Sequence, residues 1–259
     1  MKIGVLLKQV PDTETRIKIN GDANGIEEGD IKWIVNPYDE FAVEQALQVK
    51  QAAGGEVVVF SLGSSRTLDA ARTALAMGAD RAVILDDAGF AGSDSLGVSR
   101  ALAKAAQEEG IELLFAGKQA IDDDAVQVPQ IVGTLLGWPV ATAITSYEQD
   151  GDSVTCKREV GGGETEIVKV SLPAVFTADK GLNSPRYASL PGIMKAKSKP
   201  VKRYTPGDLG VEVGADNVQV TTSGYHSPPP RPAGRILEGE LGDQVKELVR
   251  LLRQEAKVL

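Results

Sequence analysis

AGKQAIDDDAVQVPQIVGTLLGWP, residues 116–139, is the stretch whose reading decides the fold. It opens at the end of a short apolar run, Ile111 to Ala116, and turns on Gly117. Three successive carboxylates follow at Asp122, Asp123 and Asp124, and then an apolar-periodic segment that reads as a helix. A strand running through a glycine turn into a helix start suits a nucleotide phosphate, because unpaired amides and the helix dipole both favour an anion there. The spacing alone leaves the nucleotide open.

Working outward, the same alternation repeats. Residues 2–10 are a β-rich run ended by Pro11-Asp12 and read as a buried first strand. Residues 13–34 form a loop with a short hairpin. Asn36-Pro37 looks like a helix start, Asn36 as the cap and Pro37 in the first turn, with Ala42, Ala46 and Val49 on one face and Gly54-Gly55 as the stop. A strand at 56–63, a helix at 67–79, a strand at 81–86 and a helix at about 95–109, capped by Ser93 or Asp94, complete the pattern. Short continuous apolar strands alternating with amphipathic helices imply a parallel sheet covered on both faces. Ligands of such sheets sit beyond the strand C-termini. The loops 7–11, 35–39, 61–65 and 116–124 therefore converge on one crevice.

After Pro139 the texture changes. VTCKREVGGGETEIVKVSLPAVFTAD (154–179) places two alternating polar and apolar runs around a triple-glycine turn, a hairpin signature leading into the apolar run 173–178. This hairpin is expected to extend the same sheet. Residues 181–199 read as a loop with a short helix carrying Met194, Lys195, Lys197 and Lys199. Beyond Pro200 the chain becomes loop-like, with Pro228-Pro229-Pro230 and Pro232, until a final helix near 241–257 whose Leu241, Val245, Leu248, Val249 and Leu252 share one stripe. The expected division is an α/β nucleotide-binding domain at 1–200 and an arm at 201–259 that wraps a partner.

Composition narrows the function classes. The 259 residues, 42% hydrophobic and 25% charged, suffice for a full core. A net charge of −8 argues against nucleic acid, whose phosphates need a basic face. The lone Cys156 precludes an internal disulfide, reads as a small core residue and fits a reducing compartment, and no Cys or His spacing suits zinc or an iron–sulfur cluster. MKIGVLLKQV offers neither a signal peptide nor a membrane span, so the expected location is the cytoplasm.

The catalytic inventory is thin. No G-x-G-x-x-G, G-x-x-x-x-G-K-[ST] or G-x-S-x-G occurs. The single histidine, His226, sits in the polar context GYHSPPP and reads as a solvated loop residue. Three consecutive side chains cannot all reach one metal, so Asp122–Asp124 read as helix capping and dipole neutralisation. The lysines at 195–199 read as a solvated face, or, beside Tyr187, Leu190, Ile193 and Met194, as a docking patch.

These residues carry a resemblance. LLKQV (6–10), NPYDEFAVEQAL (36–47), TALAMGADRA (73–82), GKQAIDDD (117–124), LPAVFTAD (172–179), NSPRYASLPGIMKAKSKP (183–200) and PGDLG (206–210) together resemble the beta (small) subunits of the electron transfer flavoproteins, in family order. The resemblance implies a doubly wound parallel α/β sheet of adenine-nucleotide-binding type, extended by an antiparallel hairpin, and a C-terminal arm that embraces the larger alpha subunit. It implies a heterodimer whose FAD is held mainly by the alpha subunit, and a structural AMP in this chain. The AMP contacts fall on Leu6, Asn36, Pro37, Tyr38, Asp39, Leu62, Gly117, Lys118, Gln119, Ala120, Ile121, Asp122, Asp123, Asp124, Ala125, Val126, Gln127 and Val128. The resemblance further implies a recognition loop at 186–199 that grips acyl-CoA dehydrogenases through Arg186, Tyr187, Leu190, Ile193, Met194, Lys195 and Lys197, with Leu190 inserting. Electrons then pass to a membrane quinone reductase or another acceptor, through a carrier without catalytic residues of its own.

A second branch of the family performs electron bifurcation and holds a second FAD where AMP sits. That branch has a pattern similar to GRQAIDGD, whereas Asp123 here puts a negative side chain in the path of a second phosphate, so AMP is expected. QVPDT (9–13) and Gln127-Val128 are closer to the bifurcating branch. The polar residues usual at 126 and 128 are valines here, which shifts phosphate binding onto backbone amides and Gln127. Thr13 stands where some members bring a tyrosine toward the flavin. A non-redox adenine-nucleotide-binding regulatory module is the alternative from another class; it would not need the arm.

Overall fold

The computed structural model describes residues 1–231 and 233–259; Pro232, one of the prolines assigned to the arm, lies outside the described residues. The chain follows β1 (Lys2–Leu6), β2 (Gln9–Pro11), β3 (Trp33–Val35), α1 (Pro37–Ala53), β4 (Glu56–Leu62), α2 (Thr67–Met77), β5 (Arg81–Leu85), α3 (Ser95–Glu108), β6 (Leu113–Gly117) and α4 (Val128–Leu136). Then come β7 (Val140–Asp150), β8 (Ser153–Gly161), β9 (Glu164–Ser171), β10 (Ala174–Ala178), α5 (Leu190–Ala196), β11 (Val201–Arg203), α6 (Pro206–Leu209) and α7 (Leu241–Gln254).

One nine-stranded sheet in the order β11-β5-β4-β1-β6-β10-β7-β8-β9 dominates the molecule. From β11 to β7 every neighbouring pair is parallel; β7, β8 and β9 pair antiparallel. At the centre, Val5 of β1 sits opposite Val59 of β4 and Phe115 of β6. Side chains alternate between the two faces because the strand period is two. Val5, Val57, Val59, Phe115 and Phe176 therefore pack on one side with α1 and α2 residues such as Ala42, Val43 and Leu75. Val58, Phe60, Leu85 and Leu114 pack on the other with Ala101, Leu102 and Ala105 of α3 and Val132 of α4. The doubly wound α/β architecture expected from the alternation is the one observed. Cys156 is a buried, free core residue.

Several local expectations need correction. Residues 2–10 are not one strand: β1 stops at Leu6, and β2 leaves the main sheet to pair antiparallel with β3. The break has a cause at Lys8, whose amide donates to the Asp39 carboxylate at 2.7 Å. Asn36 precedes α1, but its side chain makes no capping bond. The carboxylate triplet does not open a helix either; α4 begins four residues after Asp124, at Val128. Helix capping at that position is thus excluded by distance along the chain. The 154–179 hairpin does extend the sheet, as expected, yet it does so through β7, an eleven-residue strand ahead of the hairpin. Finally, Val201–Arg203, assigned to the arm, is the edge strand beside β5. Leu209 and Val213 bury their side chains in the core as well.

Candidate functional site

The strand order itself selects a location. From β1 the chain moves to β4 and β5 on one side, then returns to β6 on the other, so the connections diverge between the C-terminal ends of β1 and β6. That divergence leaves a crevice, the switch point at which open α/β sheets bind ligands. A cavity of about 300 Å³ lies there. An open groove of about 620 Å³ also exists, but it runs along residues 12–32 and is lined mostly by charged side chains.

Asp39 pins the floor. Its Oδ2 accepts the Lys8 amide at 2.7 Å, and its Oδ1 accepts the Gly117 amide at 2.9 Å and the Asn36 side-chain amide at 3.0 Å. One carboxylate thereby ties the ends of β1 and β6 to the first turn of α1. Burial pushes Asp39 up to about 7, against these donors, which pull it down. Gly117 is required by this approach, since a Cβ there would collide with Asp39 Oδ1 and the Tyr38 backbone. Asn36 spends its side chain across the crevice instead of on its own helix: Nδ2 donates to the Gln119 carbonyl at 2.9 Å, and Oδ1 accepts from the Ile121 amide at 3.2 Å.

The 119–128 turn forms the rim. Lys8 Nζ bonds Asp122 Oδ1 at 2.8 Å and Asp123 Oδ2 at 3.0 Å. Burial lowers the Lys8 pKa, but the two carboxylates outweigh it and the net shift is upward. Asp123 Oδ1 accepts the Ala125 amide at 3.0 Å, and Asp124 accepts from Gln119 Nε2 at 2.7 Å. Asp124 and Val126 adopt left-handed backbones, φ 48° and 52°. A β-branched residue in that region is a genuine outlier, and such strain gathers at binding sites. The amides of Val126, Gln127 and Val128 find no acceptor among the described residues.

Of the residues named from sequence, Leu6, Asn36, Asp39, Leu62, Gly117, Lys118, Gln119, Ala120, Asp123, Ala125, Val126, Gln127 and Val128 line the cavity. Pro37, Tyr38, Ile121, Asp122 and Asp124 are not among the lining residues. Lys118 pairs with Asp179 at 2.9 Å and lies 5.0 Å from the Tyr38 ring centre. The opposite wall, Ser93, Asp94, Ser95, Val98 and Leu102, is not among the site residues expected from sequence. Its signal was the start of α3, where Asp94 accepts from the Gly97 amide at 2.8 Å as an N-cap should. What the sequence did not reveal is that the second oxygen of Asp94 holds the amides of Gln219 and Val220, at 2.7 and 3.2 Å, tying the chain beyond the core to the cavity wall. Among the described residues no group of three or more His, Cys, Asp or Glu could hold a metal ion, and no helix is long and apolar enough to cross a membrane.

The 186–199 loop is a second, separate surface. Tyr187, Leu190, Ile193 and Met194 are all exposed, Tyr187 at 98% and Leu190 at 73%, a cluster of large apolar side chains in solvent. Lys195 and Lys197 flank it in solvent. Arg186 is not free to dock: its guanidinium forks onto the buried Glu44 at 2.7 and 2.8 Å and anchors the loop to α1. Lys199 is likewise occupied, its Nζ on the Leu75 and Ala79 carbonyls at the C-terminal end of α2. Gly192 lets α5 approach α2 closely, because a Cβ there would collide with the Ala76 carbonyl.

Comparison with known proteins identifies the family. The family model described as the electron transfer flavoprotein domain matches residues 24–209. The chain is 43% identical to the electron transfer flavoprotein subunit beta of Bradyrhizobium diazoefficiens and 39% identical to that of Bacillus subtilis, in both cases over all of each chain. It is 38% identical to the subunit of the same name from Homo sapiens, over 97% of this chain and 99% of that one. A match over most of the chain and full-length similarity at this level lead to one conclusion: the chain belongs to the electron transfer flavoprotein family, as a member of its beta-subunit line.

Proposed function

We propose that the chain is the beta subunit of a heterodimeric electron carrier, that AMP is the resident of its switch-point cavity, and that the 186–199 loop docks the electron donor. The observation that carries the nucleotide reading is the pairing, within one cavity, of an apolar strip and a row of free amides. Leu6, Leu62, Val98 and Leu102 supply apolar wall for a planar base. The unpaired amides of Val126, Gln127 and Val128 supply donors for a phosphate. At about 300 Å³ the space stands at the lower end of small-ligand sites, a size suited to a mononucleotide. FAD, held mainly by the alpha subunit, would supply the redox chemistry; this chain's residues bind, orient and dock.

The exposed Leu190, Ile193 and Met194 suit a transient donor such as an acyl-CoA dehydrogenase. Apolar anchors supply affinity and Lys195 and Lys197 steer encounter, so a small contact can form and release quickly. Electrons would leave to a membrane quinone reductase or another acceptor. The alpha subunit is assigned to the α7 face, where Leu241, Val245 and Leu248 are exposed.

A second reading, FAD in the AMP position as in the bifurcating branch, gains from one observation. Lys8 bridges Asp122 and Asp123 and offsets one of their two negative charges, which reduces the charge with which Asp123 opposes a second phosphate. Acid release of bound nucleotide with a flavin count per heterodimer decides between the two. One flavin and one AMP are expected; two flavins and no AMP overturn the AMP assignment, and a colourless homodimer overturns the carrier reading altogether.

A further inference from the structure

The charges around the cavity are unevenly engaged. Lys118 is held by Asp179 at 2.9 Å. Asp94 accepts the Gly97, Gln219 and Val220 amides, and Asp39 accepts those of Lys8 and Gly117. Asp122 and Asp123 differ: they are consecutive like charges on the turn that a phosphate must approach. The cation that reaches both is Lys8, at 2.8 and 3.0 Å, from the end of β1 on the far side of the crevice. Asp123 then passes the restraint on. Its Oδ1 holds the Ala125 amide at 3.0 Å, immediately before the left-handed Val126 and the free amides of 126–128.

We propose that Lys8 is the positioning and specificity residue of the nucleotide site: its ammonium offsets one of the two negative charges of the Asp122–Asp123 pair and, through Asp123, holds the 125–128 backbone where a phosphate meets its amides. The inference rests on reading the cavity as an adenine-nucleotide site, and it adds what that reading lacks, the reason two adjacent carboxylates can border a phosphate. Without Lys8 the rim would repel the phosphate more strongly and loosen its own amides. The apolar wall for the base, formed by Leu6, Leu62 and Leu102, would be untouched. Lys8 therefore selects a phosphorylated nucleoside over the bare nucleoside.

The test titrates the full-length chain, as the flavin-loaded heterodimer stripped of its nucleotide, with AMP and with adenosine. Lys8→Met should weaken AMP about ten- to hundredfold, the range of a lost charge-assisted contact, and leave adenosine unchanged. Lys8→Arg should recover most of the AMP affinity. Adding Asp123→Asn to Lys8→Met should recover part of it, since one repelling charge is gone, and this non-additivity is what a merely structural lysine would not produce. Equal losses for AMP and adenosine, or an unchanged AMP-to-adenosine ratio in Lys8→Met, would overturn the inference. Wild-type protein that binds neither compound would overturn the adenine-nucleotide reading itself.

Discussion

Val126 shows how a single position can be shaped against its own preference. It is a β-branched residue at φ 52°, it borders the cavity, and it is 46% exposed, so little packing compensates the strain. Such backbones cost on the order of 1–3 kcal/mol. Asn tolerates the left-handed region without the entropy cost of Gly. Val126→Asn should therefore raise stability by about 1 kcal/mol, read as a higher denaturant midpoint at constant m-value. A lower midpoint would show that the strain is not there to relieve. Asp39 obeys the opposite logic, with burial as the dominant influence. Its carboxyl is raised to about 7, so the folded state holds a proton that the unfolded chain releases near 4. Its contribution to stability is greatest at acidic pH and declines as pH rises through that interval.

At the scale of elements, Glu109 joins three of them. Placed just after α3, it accepts from Arg81 of β5 at 2.6 Å, from Lys202 of β11 at 2.8 Å and from the Tyr204 hydroxyl at 2.6 Å. Burial alone would raise its pKa; these donors outweigh burial and hold it at about 2. A carboxylate depressed from 4.5 to about 2 contributes on the order of 3 kcal/mol, fully present above pH 4.5 and lost as pH falls toward 2. Glu109→Gln should lower stability by about that amount at neutral pH, with the gap to wild type closing as urea titrations move to pH 2. A gap that stays constant with pH would refute the charge-based account. The exposed α5 makes a different prediction. Leu190→Ala should slow electron transfer from a dehydrogenase at subsaturating concentrations and leave bound nucleotide unchanged, because α5 is apart from the cavity. Wild-type rates would remove Leu190 from the docking surface.

The whole molecule divides energetically. The sheet and its two helical layers carry the buried core, whereas α7 buries no residue. Removing residues 235–259 should leave thermal stability of the isolated chain nearly unchanged and abolish association with the alpha subunit, checked by calorimetry and size-exclusion chromatography. A large drop in melting temperature would mean that the helix belongs to the core. Phe115→Ala lies at the other extreme. It opens a hole beneath Phe176 and Tyr147, whose rings lie 5.8 and 5.4 Å from its own, and should cost about 3–5 kcal/mol.

Much of this fold was legible because periodicity reports burial directly. Continuous apolar runs marked β4, β5 and β6, and three-to-four spacing marked α1 and α3. The alternation also implied which loops meet, and Lys8, Asn36, Asp39, Leu62 and Gly117 do border one cavity. Legibility failed where a partner far along the chain decides the outcome. Pattern cannot show that the Asn36 amide crosses to the Gln119 carbonyl instead of capping α1, because both uses ask for the same residue. Nor can it show that Asp122 and Asp123 answer to Lys8, more than a hundred residues earlier, since such a pair exists only once β1 and β6 lie side by side. The three-residue β11 carries too little pattern to be seen, and pairing with β5 alone makes it a strand. Local periodicity and composition thus determined the layers, the sheet and the crevice; long-range side-chain partners, available only after the chain had folded, decided what each charge in that crevice does.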